Sequence, residues 1–247
     1  SNDTVNGKKD SKDSGNKQVY KIGITQFMEH PSLNLTKEGF KAAFKEAGIK
    51  ADFDEKNANG ETANANLIAN NFASSKVDLI YAIATSTAQT AVQSTNSIPI
   101  VFAAITDPKS AGILKPNVTG VSDRMDVSEQ MKLLKRLDDK IKSVGVIYNS
   151  SEPNSKVQVE DLKKAAAPLG LTVVEKSVTQ ANEIPQTVDN LTREADAIYL
   201  PTDNLVASVA NLITEKAASA KKIVFGAEAA LLSVAPGFHF TLHTYPA

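Results

Sequence analysis

The chain has 247 residues, enough to bury a substantial core in one large or two small domains. Its 27 lysines and arginines nearly balance 28 aspartates and glutamates, so net charge gives no case for nucleic acid or anionic membrane as a partner. It contains no cysteine, which excludes disulfides, thiolate chemistry and cysteine-based zinc sites, and no apolar run reaches membrane-spanning length.

In chain order, Ser1–Lys17 is almost free of apolar residues and reads as a disordered segment, either a frayed terminus or a tether. Tyr20–Thr25 predicts a strand that delivers the loop Gln26–Pro31. A helix follows from about Leu35, with Phe40, Ala43, Phe44 and Ala47 at helical spacing and Gly48 as its stop. Lys50–Asp54 predicts a second strand, and the polar loop 57–64 leads to a helix that turns Leu67, Ile68 and Phe72 inward. Val77–Ile83 is a short apolar run of the kind buried in parallel sheets. The helix after it is expected to begin near Ala88, with Ser86 or Thr87 at its N-cap. Pro99–Ile105 reads as a fourth strand ending in Thr106-Asp-Pro108, and Asn117–Val121 as a short crossover. Asp126-Val-Ser-Glu129 is a near capping box ahead of a helix carrying Met131, Leu134 and Leu137. Strands at Ser143–Tyr148, Thr172–Lys176, Asp196–Leu200 and Lys222–Phe225 then alternate with three further helices, which specifies right-handed parallel winding.

The second half echoes the first. Ile22-Gly-Ile24 is answered by Val144-Gly-Val146, Ala47-Gly-Ile49 by Leu169-Gly-Leu171, and the 57–61 loop by 179–183. Ile100-Val-Phe102 matches Ile223-Val-Phe225, and the strand leading to Ser86 matches the one leading to Asp203. Five echoes in one order at a nearly constant offset indicate an internal repeat of α/β halves. The expected hinge is near Gly120–Arg124, with a return near Ala229–Ser233. Residues 1–18 then form the tether, 19–122 plus 231–247 the first lobe, and 123–230 the second.

Ligands of open α/β sheets bind outside the carboxyl ends of the strands. That rule nominates Gln26, Phe27 and His30; Ser86 and Thr87; Thr106 and Asp107; Asn149 and Ser150; Asp203 and Asn204; and Glu228. Hydroxyls at a helix N-terminus suit a carboxylate, Asp203 and Glu228 suit an ammonium, and Phe27 suits an apolar group. The set fits a zwitterion, an α-amino acid with a sizeable side chain. Singly, each residue also reads as an ordinary cap or turn former, Asp107-Pro108 above all. Catalysis is disfavoured, because Ser86 lacks the flanking glycines of a nucleophile elbow and no phosphate loop or dinucleotide fingerprint occurs. No metal or cofactor is implied.

These residues lie in stretches with a family likeness. Ile24–Ser32, Ile83–Gln89, Pro99–Pro108, Gly120-Val-Ser-Asp123, Tyr148–Glu152, Leu200–Asn204 and Gly226–Ala229 together resemble the substrate-binding proteins of ABC transporters, specifically the tryptophan/tyrosine type. The resemblance covers about Val19 to Ala230. It implies a periplasmic-binding-protein type I fold: two Rossmann-like parallel-sheet lobes, a hinge and a ligand cleft. It implies an importer's receptor that captures an amino acid, aromatic by family, and docks on a membrane permease as a monomer. It also implies an extracytoplasmic location, lipid-anchored in Gram-positive bacteria or periplasmic, which favours the tether reading of the N-terminus. Ser86 and Thr87 would hold the ligand carboxylate, Asp203 and Glu228 its amino group, and Gln26–His30 would lie near its side chain. Residues 231–247 depart from the family pattern, which would leave part of the first lobe's sheet uncovered. A regulatory ligand-sensing lobe of the same fold is the alternative, disfavoured because no DNA-reading helix pair precedes Val19.

Overall fold

A computed structural model describes residues 18–228 and 239–240. Strands and helices alternate from the first element: β1 (Tyr20–Gln26), α1 (Pro31–Glu46), β2 (Ala51–Asn57), α2 (Thr62–Ser74), β3 (Leu79–Ile83), α3 (Thr85–Ser94), β4 (Ile100–Ile105) and β5 (Val118–Ser122). The second half runs α4 (Val127–Leu137), β6 (Ser143–Asn149), α5 (Pro153–Ala166), β7 (Thr172–Val178), α6 (Ile184–Glu194), β8 (Ala197–Leu200), α7 (Asn204–Ser208), α8 (Ala210–Ser219), β9 (Ile223–Gly226) and β10 (His239–Phe240).

The strands form two five-stranded sheets, ordered β2-β1-β3-β4-β5 and β7-β6-β8-β9-β10, and every pairing is parallel. The two orders are the same order repeated, that of doubly wound sheets whose ligands sit where the winding reverses. Both faces of each sheet are covered, by Phe40 and Phe44 of α1 against Tyr81 on one side of the first and by Ala88 and Ala91 of α3 on the other. In the second sheet, Met131 and Leu162 cover one face and Val188, Leu191 and Ile213 the other. Strands covered on both faces must be apolar throughout, as the four buried residues of β8 are.

The echoed glycines have a packing reason. A Cβ on Gly23 would stand 2.7 Å from the Phe72 ring of α2, and one on Gly145 would stand 2.6 Å from Leu191 of α6. In each half a helix therefore presses directly onto the first strand.

Several expectations shift. The first helix begins at Pro31 rather than near Leu35, because Pro31 occupies its first turn, where a missing N–H costs nothing. In α2 the inward face is Ala65, Ala69 and Phe72, and Leu67 is 62% exposed. The assignment of 231–247 to the first lobe does not hold for the two of these residues described. His239–Phe240 pair with Val224–Phe225 of β9, taking in the second sheet the position that β5 takes in the first. The rest of that segment, the return near Ala229–Ser233 and the stretch Ser1–Lys17 lie outside the described residues.

Candidate functional site

The carboxyl ends of the strands deliver the polar residues. At the end of β3 the backbone turns through Ala84, with φ 86° and ψ 162°, a region that disfavours any residue with a Cβ. That turn starts α3 at Thr85, so Ala84 is its N-cap and Ser86 and Thr87 fall in the first turn, correcting the expected start. The Thr87 hydroxyl donates back to the carbonyls of Ile83 (2.6 Å) and Ala84 (2.9 Å). The Thr85 hydroxyl oxygen is buried with no partner, and Thr85, Ser86 and Thr87 line neither of the cavities described below.

That oxygen has company. Thr25 Oγ1, Gln26 Oε1, His30 Nδ1 and Asp123 Oδ1 are also buried without a partner, and all five belong to strand ends or following loops of the first sheet. Folded proteins rarely leave such atoms unsatisfied, since each costs about 1–3 kcal/mol. Two of them, His30 and Asp123, line the cavity described next, whereas Thr25, Gln26 and Thr85 line neither cavity.

A cavity of about 620 Å³ opens at this rim. His30, Ser32, Ala104 and Asp123 line it from the first half, and Asn154, Thr202, Asp203, Asn204 and Glu228 from the second. Its apolar wall includes Leu35 and Val121, each 70% exposed. The bulge between Phe102 and Ile105 in the β4–β5 pairing, with Ala104 at φ 56°, turns that strand's end toward the cavity. A second cavity of about 430 Å³ is lined by Phe27, Asn149 and Glu152, and by the echoed loops at Asn59–Glu61 and Thr179–Ala181.

Hydrogen bonds join the two halves here. His30 is held extended before Pro31, and its Nε2 lies 2.8 Å from Asn204 Oδ1. Thr106 bonds Thr202 (3.4 Å) and receives Gln158 (3.3 Å). Arg124 donates to Asp107 (2.9 Å) and in bidentate fashion to Asp161 (2.8 and 3.0 Å).

Asp203 is fully buried, and its oxygens accept from Asn149 N (2.6 Å), Ser155 Oγ (2.6 Å) and Val206 N (2.8 Å). Glu152, 1% exposed, accepts from the N–H groups of Asn204 and Leu205 and from the side-chain amides of Asn154 and Asn204. Burial raises both carboxyls, and for Glu152 the neighbouring Asp203 charge raises it further, while donors around Asp203 oppose its rise. The pair therefore fastens α7 to the ends of β6 and β8.

Burial likewise pushes Asp123 up to about 6, and burial with the Asp123 charge pushes Glu228 up to about 7 against a hydrogen bond from Ser32. His30 is lowered by burial, against the bond to Asn204.

Of the nominated residues, His30, Asp203, Asn204 and Glu228 meet at the main cavity, and Phe27 and Asn149 at the second. Gln26 braces the loop, its amide donating to Met28 O and Asn34 Oδ1. Asp107 closes the turn to Lys109 and Ser110 and anchors Arg124. Sequence reasoning passed over Asp123, Glu152, Asn154 and Thr85. Asp123 and Glu152 end two of the quoted motifs, and that position after a strand was the available signal. Among the described residues no group of His, Asp or Glu is arranged to hold a metal, and no helix is long and apolar enough to cross a membrane.

A family model described as ABC transporter substrate binding protein matches residues 21–237. The chain is 40% identical over 234 residues to a tyrosine-binding protein of Clostridioides difficile, covering 90% of this chain and 67% of that one. It is 36% identical to a Streptococcus pneumonia structure solved with L-Trp, covering 92% of this chain and 80% of that one at a TM-score of 0.85. A ligand-free, open substrate-binding protein with adhesive properties from Clostridium difficile is 43% identical, covering 86% and 76%, but superposes at only 0.60. A leucine-binding protein from Thermotoga maritima, 16% identical with 84% and 63% covered and a TM-score of 0.64, shares the fold alone, that of type I periplasmic binding proteins. Family and relatives are solute-binding proteins rather than enzymes. The chain belongs to the ABC transporter substrate-binding protein family.

Proposed function

We propose that this chain is the extracytoplasmic receptor of an ABC importer and captures an aromatic amino acid in a cleft between its two lobes. The observation that carries the reading is a cavity lined by both halves in which two buried polar atoms, His30 Nδ1 and Asp123 Oδ1, have no partner. A zwitterion supplies both donors and acceptors to such a cavity, and an aromatic ring fits its apolar walls. The names of the relatives support the class of ligand, one a tyrosine-binding protein and one solved with L-Trp. The better superposition on the L-Trp complex than on the more identical open structure supports a closed arrangement of the lobes here.

In this reading the first turn of α3, Thr85 to Thr87, faces the ligand carboxylate with its N–H groups. The strained backbone at Ala84 fits that role, since such strain concentrates at ligand sites. The ammonium turns toward the acids of the main cavity. Asp203 already serves three donors, so Glu228 is the better placed of the two nominated acids. Domain bounds near 122–123, a membrane permease as docking partner, a monomeric state and a lipid tether complete the proposal.

The test is a thermal-shift screen of the twenty amino acids, with scattering in the presence of the best stabiliser. An aromatic amino acid should raise the Tm by mass action and make the particle more compact. A profile unchanged by a stabilising ligand would remove the cleft from the reading, and turnover of the ligand would remove the receptor.

A further inference from the structure

One buried glutamine stands where three cavity-lining segments meet. Gln130 is 1% exposed and shares the buried face of α4 with Val127, Met131 and Leu134. Its Oε1 accepts from the hydroxyl of Tyr199 on β8 (2.8 Å), and its Nε2 donates to the carbonyl of Ala227 just beyond β9 (3.4 Å). Tyr199, also 1% exposed, lies in register with Phe225 of β9 and stacks on its ring at 6.5 Å between centres. Ala227 N donates in turn to Leu200 O at the end of β8 (2.8 Å). One side chain thus joins α4, β8 and the end of β9.

Each of these elements delivers residues to the main cavity. The crossover ahead of α4 carries Asp123, β8 runs out into Thr202, Asp203 and Asn204, and Ala227 immediately precedes Glu228. Gln130 itself does not line the cavity. Its amide has one workable orientation. Burial pushes the Tyr199 phenol up, so the phenol keeps its proton and donates it to Oε1, which leaves Nε2 for Ala227.

Stability gives little reason for this polar pair in an apolar core. The bond to Ala227 is longer than the usual ~2.7–3.2 Å of a strong N–H···O contact. Replacing both members of a buried polar pair by apolar groups of the same shape can be nearly neutral. Apolar groups would fill the space, but their attraction is non-directional and would not fix the Ala227 carbonyl. We propose that Gln130 is a positioning residue for ligand capture: steered by Tyr199, it fixes the Ala227 peptide and so sets where Glu228 stands in the cavity. This rests on the reading of the chain as an amino-acid receptor. The effect of Gln130 passes through the backbone of residues 227–228, not through contact with the ligand.

Calorimetric titration with L-tyrosine and L-tryptophan, alongside thermal unfolding, tests this on Gln130→Met, Tyr199→Phe and the double variant. Each single change strands one buried partner, the Tyr199 hydroxyl or Gln130 Oε1, and should lower the Tm. The double variant removes both orphans and should regain most of that loss. Affinity should follow a different order. Gln130→Met and the double variant should bind about three- to tenfold more weakly, as the loss of one orienting hydrogen bond allows, with Tyr199→Phe between them and the parent. Amide exchange at Ala227 reads the brace without any ligand, and should quicken by about tenfold in the double variant while the β8–β9 ladder keeps its protection. If Gln130→Met does not fold, Tyr199→Phe carries the same affinity and exchange readouts. Affinity that recovers together with the Tm in the double variant would make the pair merely structural, overturning the proposal and leaving the receptor standing. A parent that binds neither amino acid overturns the aromatic receptor reading, and exchange then decides alone: a faster rate at Ala227 keeps the brace, and an unchanged one overturns it.

Discussion

Asp203 offers two oxygens to three donors, in a position with no solvent access. Hydrogen bonds to a charged group contribute about 1.5–3 kcal/mol each, and the repulsion from Glu152 offsets part of that gain. The bonds win, because truncation strands Asn149 N, Ser155 and Val206 N together. Asp203→Ala should lower the unfolding free energy by about 2–4 kcal/mol in urea titrations, quite apart from any effect on a ligand. A second expectation concerns the empty protein and acid. Asp123 and Glu228 have folded values raised above their unfolded ones, so the folded state binds protons more readily and stability rises as pH falls through about 7 and 6. His30, lowered by burial, acts in the opposite sense below its ordinary value. With Glu152 and Asp203 raised by burial in the same sense, the acids outweigh the one imidazole and should leave the empty protein with a higher Tm at pH 5.5 than at pH 8. Residue types at strand ends were legible in the sequence, because strand-end loops can be counted off an alternating pattern. Their partners were not: Asp203 reads as a rim acid until the neighbours Asn149 and Ser155, some fifty residues away, are brought beside it.

At the scale of elements, the internal repeat carried the fold. Parallel strands covered on both faces announce themselves as apolar runs, and the repeated Ile-Gly-Ile and Val-Gly-Val words fix the first strand of each half. Boundaries were less legible where a backbone angle decided them. Nothing in the composition of Ala84 signals a φ of 86°, yet that angle moves the start of α3 forward and takes Ser86 and Thr87 off the N-cap. The glycine words also support a direct test. A methyl on Gly23 would meet three Phe72 ring atoms within 3 Å, and Phe72 is buried between α2 and the sheet with little room to yield. Gly23→Ala should cost about 1–3 kcal/mol of stability, the usual range for overpacking. Calorimetric binding per folded molecule should stay unchanged, since Gly23 lies three residues short of the site-bearing end of β1.

For the whole molecule, the question is what holds two lobes together around a small ligand. Arg124 sits at the crossover after β5 and reaches both halves, one nitrogen on Asp107 beyond β4 and the other on both oxygens of Asp161 in α5. It does not line the main cavity. Exposed ion pairs contribute only about 0.2–1 kcal/mol each, and the Arg124 side chain is 46% exposed, so the clamp cannot dominate folding stability. Closure is more sensitive, because open and closed arrangements in such receptors differ by only a few kcal/mol. On the proposal that both pairs break when the lobes open, removing them shifts that balance by about 1 kcal/mol, or roughly fivefold in apparent affinity. Arg124→Ala should therefore weaken ligand binding by about three- to tenfold, through faster release, and leave the Tm of the empty protein within about a degree or two. The loss should shrink at high salt, where exposed pairs are screened in the parent as well. Scattering on the empty variant should show a larger radius than the parent. A variant with parent-like affinity at low salt would mean that the bonds from His30 to Asn204 and from Thr106 to Thr202 close the lobes without help from the crossover.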